Sequence, residues 1–100
     1  MIRFQRSLRS AQNKDLEAIA WAQEVTTFLN GKYPEANVQV FAHRFGVVDT
    51  IAWQVDFDSL VSLDKYQKTL NTDEEYFAQL NKSTDLFMAG SLFDTVFESL

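Results

Sequence analysis

Along 100 residues, the spacing of apolar side chains switches between every second and every third or fourth residue. The order reads strand, helix, strand, strand, helix, strand. A period of two builds a sheet with two distinct faces, and a period near 3.6 builds a helix with one buried stripe. Few chain paths satisfy that order at this length, because a helix between two strands carries the chain back across one face of the sheet.

Residues 1–9 put Ile2, Phe4 and Leu8 on one face and Arg3, Gln5, Ser7 and Arg9 on the other. Arg6 is the polar break in the apolar phase. The first helix is predicted from about Asn13 to Asn30. Asn13 is the expected N-cap, and Asp15 and Glu17 fall in the first turn, where the helix dipole favours them. Ala18, Trp21, Ala22, Val25, Phe28 and Leu29 form its stripe, widened by Leu16 and Ile19. Gly31 at C′ and Pro34 beyond give the stop. Residues 37–46 read as the second strand, with Val38, Val40 and Ala42 opposite Gln39, Phe41, His43 and Phe45. The short link over Gly46, Val47, Val48 and Asp49 predicts antiparallel pairing with a third strand. There Ile51, Trp53, Val55 and Phe57 oppose Ala52, Gln54, Asp56 and Asp58.

Asp58 or Ser59 can cap a second helical segment carrying Leu60, Leu63, Tyr66 and Leu70, with Gln67 as its break. Asn71-Thr72-Asp73 interrupts it. Thr72 and Glu75 have capping-box spacing, and a third helix is predicted from there to Gly90. Residues 91–100 read as a closing strand whose two faces are both partly apolar, which points to an interface. The expected fold is α+β: a ferredoxin-like βαββαβ sandwich over 1–100 as one domain. Its four-stranded antiparallel sheet has the first and third strands central and its helices on one face.

Charge and composition narrow the function. Residues 1–44 carry a small positive net and residues 45–100 a strong negative one, for −5 in total. An acidic chain is a poor binder of nucleic acid or anionic membrane. No stretch approaches a membrane span, and the alternating N-terminus lacks the apolar run of a secretion signal. The lack of cysteine excludes disulfides and thiolate chemistry and suits a cytoplasmic location. One histidine and no cysteine predict no metal site, and no cofactor is expected.

The segments Trp53-Gln54-Val55-Asp56-Phe57-Asp58-Ser59-Leu60, Asp73-Glu74-Glu75-Tyr76 and Leu86-Phe87-Met88-Ala89-Gly90-Ser91 resemble the NIPSNAP-like branch of the dimeric α/β-barrel superfamily. The order of elements over the whole chain carries the same resemblance, which extends to the antibiotic-biosynthesis-monooxygenase-like families. The resemblance implies a homodimer whose two sheets close into a barrel. Its members include cofactor-independent monooxygenases, haem-degrading enzymes and isomerases. The haem-degrading members pair a first-strand Asn with a later Trp and His. Here Gln5 and Trp53 stand without a histidine after them, so that pattern is not met.

Two function classes remain: a homodimer that is non-catalytic or binds a small hydrophobic ligand in the barrel, or a cofactor-independent monooxygenase or isomerase acting on a small aromatic substrate in the barrel cavity. The candidate cavity residues are Gln5, Phe41, His43, Phe45, Gln54 and Asp56, placed by alternation on the sheet face away from the helices. Catalytic residues are not assigned. Trp53 reads as core or as a stacking platform, and Asp56 with Asp58 as an acid pair or as solvated strand-end charge. Arg3, Arg6 and Arg9 read as an anion clamp or as cross-strand partners of later acids.

Overall fold

The structure is a computed structural model and describes residues 1–43, 45–46 and 48–100. Arg44 and Val47, which the expected second strand and its turn include, lie outside the described residues. The elements in chain order are β1 (Ile2–Arg9), α1 (Asp15–Lys32), a 3-10 turn at Pro34–Ala36, β2 (Gln39–Ala42) and β3 (Thr50–Phe57). Then follow α2 (Leu60–Asn71), α3 (Glu74–Asn81) and β4 (Phe93–Glu98). The four strands form one antiparallel sheet in the order β2-β3-β1-β4, so β1 and β3 are central as expected.

Strand phase sorts the side chains. Ile51, Trp53 and Val55 of β3 are buried against Ala18, Trp21, Ala22, Val25 and Leu29 of α1. Tyr66, Leu70, Tyr76 and Leu80 bring α2 and α3 onto the same core. Trp21 and Trp53 meet edge to face at 6.0 Å, and Phe87 packs its ring 5.6 Å from Trp21 and 6.3 Å from Trp53. Such edge contacts add to the area buried. The Trp53 indole donates to Thr26 Oγ1 at 3.2 Å and that of Trp21 to the Gln79 carbonyl at 2.9 Å. Both polar ends of this aromatic core are therefore satisfied.

Several local expectations are corrected. Asn13 does not cap α1; it sits in the left-handed region at φ 65°, and the helix begins at Asp15. Asn tolerates that conformation better than most residues. Ser10 Oγ donates to the Asp15 carboxylate, anchoring the helix start to the end of β1. Gly31 lies inside α1, which runs on to Lys32, because its last residues have partners outside the helix. Lys32 Nζ reaches Asp73 at 2.9 Å and Glu75 at 3.0 Å, and the Tyr33 hydroxyl donates to Asp73. The capping residue of α3 is Asp73, not Thr72: Asp73 Oδ1 accepts from Tyr76 N at 3.1 Å. Thr72 closes α2 instead, donating to the Thr69 carbonyl.

The third helix stops at Asn81 rather than Gly90. The hydroxyls of Ser83 and Thr84 donate to the Leu80 and Asn81 carbonyls, taking up the helix end. Residues 86–88 then run beside the end of β1, where Ala11 N donates to Leu86 O and Met88 N to Arg9 O, each at 2.8 Å. That path turns Phe87 into the core. β2 is shorter than expected because regular pairing with β3 ends at Ala42 opposite Ile51.

Asp73 gives the fold a defined acid sensitivity. Its carboxyl is drawn from an ordinary 3.8 down to about 2, first by the Tyr33 hydroxyl and then by Lys32. A folded-state value below the unfolded one contributes stability that is present above pH ~4 and lost as pH falls towards ~2. Urea midpoints of the wild type should fall through that window. Asp73→Asn should start lower at neutral pH and lose less between those limits; equal slopes for the two proteins would refute the assignment.

Candidate functional site

A hollow of about 590 Å³, open to solvent on one side, lies between the sheet and the helix layer. That size is typical of small-molecule sites. Its sheet wall is Phe4, Arg6 and Leu8 of β1 with Trp53 and Val55 of β3. Trp21, Val25 and Leu29 of α1 close one side. Leu63, Tyr66, Gln67 and Leu70 of α2, with Tyr76 and Leu80 of α3, close the other. This second wall is shared by two short helices, with the break at Thr72 and Asp73 between them.

The two residues that interrupt the apolar phase in sequence, Arg6 and Gln67, both line this cavity. Arg6 is the only charged lining residue among the described ones. Its guanidinium makes a two-pronged contact with Asp94 on β4, Nε at 2.8 Å and Nη2 at 2.9 Å, and lies over the Phe4 ring at 5.6 Å. Bidentate pairing of this kind fixes the fork in orientation. Tyr66 has a buried hydroxyl with no hydrogen-bond partner among the described residues. Burial, then the neighbouring Tyr76, Tyr33 and Glu35, push its phenol up to about 12. Burial also raises Tyr76, which lies close enough to feel both charges of the Arg6–Asp94 pair. Both phenols keep their protons at neutral pH, so they can donate hydrogen bonds but do not serve as bases.

The candidate residues on the opposite sheet face form a flat ladder. Gln5 pairs with Gln54 across β1 and β3, and its Nε2 donates to Gln54 Oε1 at 3.0 Å. Arg3 grips Asp56 through Nε at 2.9 Å and Nη2 at 3.2 Å, which holds the Asp56 carboxyl below its ordinary value. Phe41 stands opposite Ala52. Arg3 and Arg6 are thus cross-strand partners of acids, as one of the two sequence readings had them.

His43 and Phe45 are not brought into that ladder. They line a separate cleft of about 240 Å³ at the end of the sheet, with Ser10, Asp15, Asp49 and Thr50. Phe45 is exposed there, and the His43 ring lies against Gly46, whose added Cβ would meet Nδ1 at 3.2 Å. Asp49 sits beside Asp15; burial and then the Asp15 charge raise its carboxyl. Gln5, Gln54 and Asp56 line neither hollow. Asp58 stays solvent-exposed, while Ser59 caps α2 by accepting from Ser62 N at 3.3 Å. No group of three or more His, Asp or Glu side chains among the described residues can hold a metal ion. Among the described residues, no helix is long and apolar enough to cross a membrane.

No family model and no curated protein matches the sequence. Solved structures do match in fold. An uncharacterized NIPSNAP domain protein from Burkholderia xenovorans superposes with a TM-score of 0.83 at 13% identity, over 100% of this chain and 95% of that one. A dimeric protein of unknown function and ferredoxin-like fold from Bacteroides fragilis gives 0.73 at 16% identity, over 98% and 95%. An antibiotic biosynthesis monooxygenase gives 0.71 at 6% identity, over 100% and 99%. The chain therefore has the ferredoxin-like fold shared by NIPSNAP and monooxygenase-like proteins. At these identities the likeness fixes the fold and not the chemistry.

Proposed function

We propose that this protein is a homodimeric small-molecule binder, with the cavity under the α2–α3 junction of each protomer holding a small hydrophobic ligand. The observation that carries this is the cavity itself: about 590 Å³ walled by both tryptophans, with a few fixed polar groups. Binding rather than turnover is what its donors support. Arg6 is held by Asp94, and the phenols keep their protons, so the lining orients a ligand without an evident base.

The dimer rests on the open sheet face. Phe41, Phe93 and Phe97 are 49%, 67% and 50% exposed there, at its two edge strands. The glutamine and Arg3–Asp56 ladder runs between them. Such a face is self-complementary under a two-fold axis, and the Bacteroides structure of the same fold is described as dimeric. The ladder residues Gln5, Gln54 and Asp56 would then lie inside the barrel. A chain without cysteine also suits a reducing, cytoplasmic setting.

Light scattering at micromolar concentration should give twice the 11.5 kDa chain mass; a monomer there rules out the dimer. For the cavity, naphthalene should shift the indole N–H resonances of Trp21 and Trp53, both of which line it. Leu63→Trp, which fills the α2 wall, should abolish those shifts. Unchanged indole signals in the wild type would refute the cavity as a binding site.

A further inference from the structure

Strand register divides the open sheet face into rows. Thr95, Gln5, Gln54 and Gln39 form one row across β4, β1, β3 and β2. On one side of it stand Phe93, Ser7, Ala52 and Phe41, and on the other Phe97, Arg3 and Asp56. A polar belt therefore crosses the face between the two rows that carry its phenylalanines. The centre of the belt, Gln5 with Gln54, sits at the middle of both central strands and is half-buried in the protomer.

The two amides of that central rung are only partly used. Gln5 Nε2 donates to Gln54 Oε1 at 3.0 Å, which leaves Gln5 Oε1 and Gln54 Nε2 outside the bond. A side-chain amide has one oxygen acceptor and two N–H donors, so the rung keeps an acceptor on one strand and a donor on the other. That pair is self-complementary. Under a two-fold axis through the rung, the acceptor of each copy meets the donor of the other. Facing sheets lie about 10 Å apart, so long side chains from both reach the space between them. An alignment that covers the phenylalanines but misses these groups would bury amides unpaired, which costs stability.

Resting on the homodimer through the open face, we infer that the Gln5–Gln54 rung sets the register of that dimer, each rung being completed by the same rung of a second copy across the two-fold axis. The phenylalanines supply attraction, but apolar rows alone let two sheets slide past each other. A polar group at the centre of an apolar contact is matched in one alignment only. A single buried Asn fixes the register of a coiled coil in the same way, at some cost in stability.

Sedimentation over a dilution series and the amide NMR spectrum test this on the wild type, Gln54→Leu and Gln5→Leu/Gln54→Leu. The wild type should be a dimer with one set of resonances. Gln54→Leu strands the Gln5 amide in both copies and should raise the dissociation constant by at least about thirtyfold. The double leucine variant removes both amides and should return to within about tenfold of the wild type, or bind tighter. It should also lose the single register, giving a second set of resonances or species larger than the dimer. Should leucine hinder folding, Gln5→Val/Gln54→Val, with its stronger strand preference, carries the same expectations. Losses that simply add from the single to the double variant, or a double variant with one set of resonances, overturn the inference and leave the dimer standing. A monomeric wild type overturns the dimer reading itself.

Discussion

Replacing Trp53 with alanine should destabilise the fold by about 3–5 kcal/mol, the range for deleting a large buried aromatic. That is a large share of the roughly 5–15 kcal/mol by which a domain is stable. The reason is position. Trp53 is 8% exposed on a central strand, opposite Arg6 on β1 and Val40 on β2. Its ring meets Trp21 from α1 and Phe87 from the segment after α3. Removing it therefore loosens the contacts of β3 with both α1 and the segment after α3. Thr26 loses the indole donor but still bonds the Ala22 carbonyl, so the cost is mainly packing. Urea denaturation measures it directly. Trp53→Phe, which keeps a ring against Trp21 and Phe87, should cost distinctly less. A loss below about 1 kcal/mol for the alanine variant would mean that this ring packs far more loosely than core aromatics do.

The sandwich was legible because each strand and helix carries its own period, and local periodicity is a property of neighbouring residues. Ile51, Trp53, Val55 and Phe57 announce the buried face of β3 without knowledge of what covers them. What sequence could not supply was long-range. α1 passes through Gly31 because Lys32 and Tyr33 have partners on Asp73, about forty residues on. α3 stops early because the following segment has its own hydrogen bonds along β1.

The candidate site shows the same division. Arg6 and Gln67 stood out as polar residues at apolar phase, and that was a usable signal. Their meeting around one hollow was not readable, since it brings a residue of β1 and one of α2, far apart in the chain, to the same place. The partner of Arg6, Asp94, lies 88 residues away in the chain. Alternation puts Gln5, Phe41, Gln54 and Asp56 in one phase of the paired strands, while His43 and Phe45 lie beyond the end of the regular strand, where alternation no longer fixes direction.

If the protomers pair through the open sheet face as proposed, the double variant Phe93→Thr/Phe97→Thr should be monomeric at micromolar concentration while the protomer stays folded. Both rings project from β4 onto the open face, opposite Ser7 and Arg3 of β1. Fully burying a phenylalanine contributes roughly 1.5–3 kcal/mol. Each is half or more exposed in the protomer, so about half of that is at stake per ring. A two-fold axis counts every ring twice, giving about 3–6 kcal/mol for the pair. At 1.4 kcal/mol per tenfold, the dissociation constant should rise by about 10²–10⁴. Threonine keeps the strand preference of an edge position, so circular dichroism and the urea transition of the protomer should change little. Loss of the fold together with the dimer would be separated by Phe93→Tyr/Phe97→Tyr, which keeps the ring area and should stay dimeric. A double threonine variant that remains dimeric at nanomolar concentration would mean that the protomers meet through another surface, and the barrel would have to be given up.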